Sequence, residues 1–341
     1  MTIADRSLTW LRGSLARWEV FLLFVLAGTF LCGAQTSRYF LTFSNISIAL
    51  AGMAPAAIVA LPMTLIIVTG EIDISVGSIV GLCSAFMAVC LEHGLPVEVA
   101  MSFGVVIGTL AGLVNGLIVV YGALPSLVVT IGTLALYRGI AQIILNERGF
   151  SGFPQWYQDI GFGTIGATPI PWSSLIFVLL FVGFALFLHA THWGRALYAI
   201  GNNLTAARFS GINVKRALLG VFVASGVLSS LAAIILTAYL ASARADTAIG
   251  LELPVITAVV LGGVNIFGGA GTMPGVLIAL LVLAFVQNAL GLAGVTPEQQ
   301  QIVTGSVLIL TLIVFGSADL LKKTRVALWQ SRGATRSTRD R

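Results

Sequence analysis

The chain has 341 residues, of which 57% are apolar and 9% are charged, against about 25% charged residues in an ordinary soluble domain. This composition excludes a soluble globular enzyme, a disordered chain and a nucleic-acid-binding module, because too few polar side chains are present to cover a water-exposed surface. The expected fold class is therefore all-α: a polytopic membrane helix bundle of about ten transmembrane helices.

Ten apolar runs follow one another along the chain, and at about 20 residues per helical crossing they predict ten spans. The runs lie at 18–34, 46–69, 74–91, 97–121, 124–145, 172–190, 217–241, 254–269, 272–294 and 301–317. The eighth run, 254–269, is short and rich in glycine, so it is either a complete crossing or a broken, re-entrant segment.

The basic residues indicate which ends of these spans face the cytoplasm. Fourteen of the 18 basic residues lie in the segments 1–19, 190–216 and 317–341, which hold only four of the 13 acidic residues. Short segments rich in Lys and Arg stay on the cytoplasmic side of a membrane. Six spans before the middle segment and four after it satisfy this rule, so both chain termini are expected in the cytoplasm.

The expected organisation is a cytoplasmic N-terminal tail at 1–17, a transmembrane domain at 18–317 and a basic cytoplasmic C-terminal tail at 318–341. Between the spans, 190–216 is the internal polar loop and 146–171 is the longest external loop. The external loop carries several aromatic residues, which suit either a lid at the level of the lipid headgroups or an ordinary interfacial belt.

A candidate internal parallel repeat relates the second and eighth apolar runs. A shift of 192 residues aligns 61–62 with 253–254, both Leu-Pro, and Gly70 with Gly262. Internal duplication is common in transporters, and paired segments interrupted by glycine indicate the translocation site.

The sequence lacks the motifs of ATP binding and of common enzymes. A P-loop needs a lysine directly after a glycine, and none of the three lysines, Lys215, Lys322 and Lys323, follows one. The histidines and cysteines show no recurring metal-ligand spacing, and no convergent set of titratable groups suggests a reaction. We therefore expect a chain that is not an enzyme and has no metal or cofactor of its own.

Asp73 stands at the predicted turn between the second and third spans, with Ser75 and Gly77 close behind it. A carboxylate there can cap the following helix, since Asp and Ser side chains bind the free N–H groups of a helix N-terminus. Gating or the passage of a solute is the alternative role. The glycine permits either close helix packing or a local break.

Further polar groups are expected at membrane depth or at the external surface. Arg138 lies about eight residues from the outer end of the fifth run, where an Arg either faces the bundle interior or snorkels to the surface. Asn265, in the eighth run, suits a hydroxyl-rich solute or an interhelical hydrogen bond. Arg244, Asp246 and Glu252 form a charged external mouth that either receives a partner or solute or is simply solvated.

The internal loop 190–216 contains a candidate short helix at 203–210. Asn203 can cap this helix, two alanines favour it and Gly211 can end it. A short helix between two spans suits docking into a groove on another protein, and it equally suits lying on lipid headgroups.

Four stretches combine glycine, small residues and single polar groups in a recognisable order, at 70–78, 130–139, 194–212 and 259–272. Together they resemble the permease subunits of bacterial ATP-binding-cassette (ABC) sugar importers, of the ribose, arabinose, xylose, rhamnose and autoinducer-2 type.

Two variants of this family look closest. Residues 58–81 and 242–263 resemble the second permease subunit of autoinducer-2 importers, whereas 124–130 and 201–211 look more like rhamnose permeases. The usual proline after Arg244 is absent, which counts weakly against the ribose type. The resemblance thus implies a monosaccharide or sugar-like solute, with rhamnose or autoinducer-2 favoured.

The resemblance further implies alternating access in the bacterial inner membrane, within membrane lipid. A separate ABC ATPase subunit binds the ATP, a periplasmic sugar-binding protein delivers the solute, and a second permease subunit, identical or paralogous, completes the pathway. The segment that couples to the ATPase is implied to include Gly194, Arg195, Gly201, Asn203, Ala206, Ala207, Arg208 and Gly211. The candidates for gating or for the pathway are Asp73, Ser75, Gly77, Arg138 and Asn265.

The alternative is an ion-coupled secondary transporter or channel for a small polar solute. Coupling to protons or sodium usually needs carboxylates inside the membrane. Glu71 and Asp73 lie at a predicted turn and Glu92 and Glu98 flank an external one, so none is clearly in mid-membrane.

Overall fold

The computed structural model describes residues 3–146, 148–166, 168 and 170–313, with side chains from residue 18 onward. The predicted C-terminal tail at 318–341 lies outside the described residues. Twelve helices have both ends described, and residues 297–313 are also helical. The twelve are α1 Ile3–Thr36, α2 Phe43–Val68, α3 Val76–Glu92, α4 Val97–Gly122, α5 Ser126–Leu145, α6 Gln155–Phe162, α7 Trp172–Ala190, α8 His192–Asn202, α9 Leu204–Phe209, α10 Val214–Leu240, α11 Glu252–Leu261 and α12 Met273–Leu292.

The all-α fold class is confirmed for the described residues, whose extended pairings are two isolated bridges. Seven of the described helices are long and apolar enough to cross a membrane: α2, α4, α5, α7, α10, α12 and the part of α1 from Trp18 to Thr36. The predicted count of about ten spans is not confirmed. The other three runs correspond to α3 with 17 residues, α11 with ten, and the helical segment 297–313.

Short helices distinguish two ends of the bundle, which we call the α8–α9 end and the α6 end. The Tyr157 hydroxyl of α6 donates to the Ile234 carbonyl at 2.8 Å, which places the C-terminal part of α10 at the α6 end. Gly201 of α8 packs on the Val68 carbonyl, so α2 finishes at the α8–α9 end.

The central helix is α2, which is apolar around its whole circumference. In its most apolar 18-residue window, 83% of the residues are buried. A helix that is apolar on every face is stable only when other helices surround it. Here α6, α7, α8, α10, α11 and α12 all pack against α2.

The helices α4 and α10 approach each other closely through glycines. A Cβ atom on Gly112 would lie 2.9 Å from the Cα of Gly226 and would collide with the Phe222 carbonyl. Small residues allow this backbone contact, and van der Waals packing of this kind drives helix association in a membrane, where lipid tails are as apolar as leucine.

The eighth apolar run does not form one continuous helix. Its helical part, α11, ends at Leu261 and is followed by an irregular loop at 262–272. The helices α2 and α11 end in the same way: the N–H of a left-handed glycine, Gly70 or Gly263, bonds the carbonyl three residues back at 2.9 Å, and the next N–H bonds the carbonyl five residues back at 3.2 Å. By this geometry the counterpart of Gly70 is Gly263, one residue beyond the Gly262 that the 192-residue shift pairs with it. The wider repeat stays a prediction.

Replacing Gly112 with valine is expected to destabilise the bundle, because the added side chain collides with the backbone of α10. Overpacking of this kind costs about 1–3 kcal/mol. The measurement is the thermal unfolding midpoint of the detergent-solubilised chain. Gly28→Val is the control, since a Cβ at Gly28 meets nothing within 4 Å. Equal midpoints for the two variants would contradict the packing assigned to α4 and α10.

Candidate functional site

The segment 69–75, between α2 and α3, is irregular backbone packed inside the bundle. Its polar groups find partners on α5: the Ile72 N–H donates to the Ser126 hydroxyl at 3.1 Å, and the Thr130 hydroxyl donates to the Ile72 carbonyl at 3.4 Å. Irregular backbone at membrane depth is tolerated where protein groups satisfy it. The N-terminal half of α5 thus holds this segment in place.

Asp73 is fully buried and accepts three hydrogen bonds. One carboxylate oxygen accepts the N–H of Ser75 at 2.9 Å and its hydroxyl at 2.6 Å, and the other accepts the Ser225 hydroxyl of α10 at 2.9 Å. Ser75 is the N-cap residue of α3 and makes no side-chain cap. Asp73 therefore binds the N-cap residue, which lies two positions after it, instead of capping the first turn of α3 directly as the sequence suggested.

The hydrogen bonds of Asp73 continue into two more helices. Ser75 accepts the side-chain amide of Asn115 on α4 at 2.8 Å, and the oxygen of that amide accepts the Tyr137 hydroxyl of α5 at 3.0 Å. We call Asp73, Ser75, Asn115, Tyr137 and Ser225 the Asp73 cluster. All five are buried, and together they join α3, α4, α5 and α10 through side chains.

Arg138 of α5 faces the bundle interior and does not snorkel to the surface. Its guanidinium donates to the carbonyls of Ala245 and Thr247 at 2.8 Å each and to the carbonyl of Gly77 at 3.3 Å. These contacts hold the irregular segment 241–251, which precedes α11, against the start of α3. Arg138 is therefore a positioning group for backbone that no helix satisfies.

Gly77 is where α3 meets the start of α11. A Cβ atom on Gly77 would lie 2.8 Å from the Ala248 carbonyl oxygen and 2.5 Å from a carboxylate oxygen of Glu252. The absence of a side chain at Gly77 is thus a requirement of this close approach, in agreement with the close packing that the sequence suggested.

The three charged residues predicted to form an external mouth divide into two groups. Arg244 and Asp246 form an exposed ion pair at 2.9 Å, and the hydrogen bond from Arg244 lowers the pKa of the Asp246 carboxyl. Glu252 takes no part in this ion pair and lies beside Gly77, near Arg138.

Asn265 makes no hydrogen bond to the Asp73 cluster. It lies exposed in the loop 262–272, where its side-chain oxygen accepts the N–H of Phe267 at 3.1 Å. The expectation that Asn265 lies within a span was wrong, because α11 ends at Leu261 and the rest of the apolar run is a glycine-rich turn.

Two glycines fix α8 to the body of the bundle. Gly194 packs on the Leu188 carbonyl of α7, and Gly201 packs on the Val68 carbonyl and on the N–H of Gly269. The side-chain amide of Asn202 also donates to the Gly269 carbonyl at 3.2 Å. The end of α2 and the loop 262–272 thus share one contact surface with α8.

The short helix predicted at 203–210 is confirmed as α9. Asn203 caps it by accepting the Ala206 N–H at 2.9 Å, and Gly211 follows it with a φ of 81°. Ala207 faces inward with 3% exposure, whereas Ala206 is exposed and Phe209 is 90% exposed. Within the predicted coupling segment, Arg195 and Arg208 are also exposed.

Several of these residues were missed from the sequence. Ser225, Tyr137 and Ser126 had no signal, because hydroxyl groups are common in apolar helices and their partners come from distant segments. Phe209 carried a signal that was not used: it is an aromatic residue directly after a cation within the predicted short helix.

Among the described residues, no group of three His, Cys, Asp or Glu side chains could hold a metal ion.

Comparison with known proteins decides the family. Residues 45–312 match the family described as "branched-chain amino acid transport system / permease component". The chain is 38% identical over 285 residues to the autoinducer 2 import system permease protein LsrD of Yersinia pseudotuberculosis serotype O:1b (strain IP 31758), which covers 82% of this chain and 84% of that protein. The LsrD protein of Yersinia pestis (strain Pestoides F) is 37% identical with the same coverage.

The chain belongs to this permease family. The resemblance to permeases of ABC sugar importers is thereby confirmed, and the permease is a multi-pass membrane protein. Both relatives named are autoinducer 2 permeases, so these comparisons lend no support to rhamnose. No solved structure matches the permease.

Replacing Ser225 with alanine is expected to lower the thermal unfolding midpoint of the permease, because one oxygen of the buried Asp73 carboxylate loses its donor. Leaving a buried polar group unpaired costs about 1–3 kcal/mol. Ser229→Ala is the matched control one turn further along α10, since the buried Ser229 hydroxyl has no hydrogen-bond partner in the described chain. A Ser229→Ala variant as unstable as Ser225→Ala would show that the hydrogen bond to Asp73 contributes nothing.

Proposed function

We propose that the permease moves an autoinducer-2-type, sugar-like solute through the bacterial inner membrane into the cytoplasm, driven by ATP hydrolysis on a separate ATPase subunit. The observation that carries the proposal is the identity to autoinducer 2 import permeases over most of both chains. The described helices carry polar side chains, many of them with hydroxyl groups, which are compatible with such a solute. The three basic segments favour a cytoplasmic location for the α8–α9 end and for both chain termini.

The surface proposed for the ATPase is α9. It presents Phe209 and Arg208 on its exposed side, while Ala207 packs inward and anchors it. An exposed aromatic residue beside a cation is a frequent anchor in protein interfaces. Ala207, which the sequence assigned to docking, instead supports the helix from behind.

A displacement of α9 has a direct route into the bundle. Only Asn203 separates α9 from α8, and Gly201 of α8 touches both Val68 of α2 and Gly269 of the loop 262–272. The segment 69–75 continues from α2 to Asp73. We infer that ATPase movements reach the Asp73 cluster by this route and that Asp73, Ser75 and Gly77 belong to the moving part.

The remaining partners are assigned to the opposite end and to the membrane. The exposed pair Arg244–Asp246 lies on the segment after α10 at the α6 end, where a periplasmic binding protein would deliver the solute. A second permease subunit, identical or paralogous, completes the pathway. The ATPase subunit binds the ATP, and the permease changes conformation.

Replacing Phe209 with alanine is expected to weaken the association of the permease with its ATPase by at least about tenfold, because aromatic anchors carry much of the energy of an interface. The measurement is the dissociation constant in detergent solution. Phe43→Ala is the matched control: Phe43 is 76% exposed and lies at the α6 end, at the start of α2. Equal affinities for wild type and Phe209→Ala would contradict docking on α9.

The solute is tested by uptake into proteoliposomes that hold the permease, its neighbouring ATPase and its binding protein. We expect accumulation of labelled autoinducer-2, with unlabelled autoinducer-2 competing and rhamnose and ribose leaving it unchanged. An Ala206→Glu change on the exposed side of α9 should stop uptake without preventing assembly in the membrane. Accumulation of rhamnose in place of autoinducer-2 would overturn the proposed substrate.

A further inference from the structure

A groove between α7 and α10 is left unfilled by the described chain. Its cavity volume is about 590 Å³, within the range of small-molecule sites. Leu65 of α2 is one of its lining residues. Its walls are formed by α7 and α10, in the halves of these helices nearer the α8–α9 end. Trp193 and Leu197 of α8 contribute the lining at that end.

Two glycines keep the groove open, one on each wall. A Cβ atom on Gly183 of α7 or on Gly220 of α10 would meet nothing within 4 Å. The surroundings are apolar, with Phe184 and Phe187 among the lining residues. Leu179 at the edge is 65% exposed, so the groove is open toward the membrane. An extended hydrocarbon chain matches both the shape and the chemistry of this space.

One charged side chain, Arg216, lines the groove, and it lies one helical turn before Gly220 on α10. Among the described residues, the single ion pair joins Arg244 and Asp246, so no described carboxylate neutralises Arg216. Residues 191–216 hold four basic side chains and no acidic one. A basic group at the polar end of an apolar groove between transmembrane helices favours an anionic lipid headgroup.

The indole of Trp193 lies at the same end of the groove and is 45% exposed. Tryptophan prefers the level of the lipid headgroups, because its ring is apolar and its N–H is polar. Arg216 and Trp193 therefore mark the depth at which a headgroup would lie.

We propose that this groove binds an anionic phospholipid from the leaflet at the α8–α9 end. One acyl chain lies between Gly183 and Gly220, and the phosphate binds the Arg216 guanidinium. Because α8 and α10 both line the groove, the lipid contacts the helix that precedes α9 and the helix that carries Ser225. The proposal stands on this groove alone and does not depend on the solute or on the ATPase.

The test is native mass spectrometry of the full-length permease in detergent, with phosphatidylglycerol and phosphatidylcholine of identical acyl chains as probes. We expect phosphatidylglycerol to bind at least about fivefold more tightly, and Arg216→Gln to remove that preference. Arg195→Gln is the matched control, since Arg195 is exposed at the same end but does not line the groove. Gly220→Leu should reduce the number of retained lipids by one without lowering the thermal midpoint.

Gly183→Leu fills the groove from the opposite wall, so the test does not depend on the folding of one variant. Equal binding of the two lipids to wild type, or a preference that survives Arg216→Gln, would overturn the headgroup assignment. An unchanged number of bound lipids in both leucine variants would overturn the groove as the site. A change of oligomeric state in those variants would identify the groove as a protein interface and equally reject the proposal.

Discussion

The structure depends on one constraint: backbone polar groups that no helix satisfies must find partners inside the chain when hydrocarbon surrounds it. Two irregular segments, 69–75 and 241–251, meet this requirement in different ways. The first uses hydroxyl groups of α5 together with the Asp73 carboxylate, and the second uses the Arg138 guanidinium, which donates to two of its carbonyls. The short lengths of α3 and α11 follow, because each helix starts only after such a segment has entered the bundle.

The same two segments bring the candidate functional groups together. The start of α3 meets the segment before α11 at Gly77, and the Asp73 cluster ties that start to α4, α5 and α10. At the N-terminal end of the segment 69–75, α2 ends against α8. The exposed helix α9 is therefore linked to a buried carboxylate through α8, the packing contact of Gly201 with the end of α2, and the segment 69–75.

Features that arise from neighbouring residues could be predicted from the sequence. The short helix α9 is an example, because Asn203 and Gly211 are local start and stop signals. The all-α class followed from apolar runs that only helices can accommodate in a membrane. The number of complete crossings could not be predicted in this way, since hydropathy does not distinguish a spanning helix from a short helix joined to buried irregular backbone.

Contacts between distant segments could not be predicted from the sequence. Asp73 and Ser225 are 152 positions apart, and nothing in an apolar stretch of α10 marks one serine over the next. The inward side of α9 was also missed: Ala207 and Phe209 are two positions apart, and the orientation of a six-residue helix on the bundle depends on packing that its own residues do not encode. Asn265 was misplaced because its apolar run contains a turn.

We propose that ATP hydrolysis on a partner subunit, transmitted through α9, drives the permease. The most direct measurement is uptake of labelled autoinducer-2 into proteoliposomes of the complete complex, with ATP present or absent and with ionophores that collapse proton and sodium gradients. We expect uptake that requires ATP and continues when both gradients are collapsed. Uptake that proceeds without ATP and stops on adding the ionophores would contradict it and identify an ion-coupled transporter.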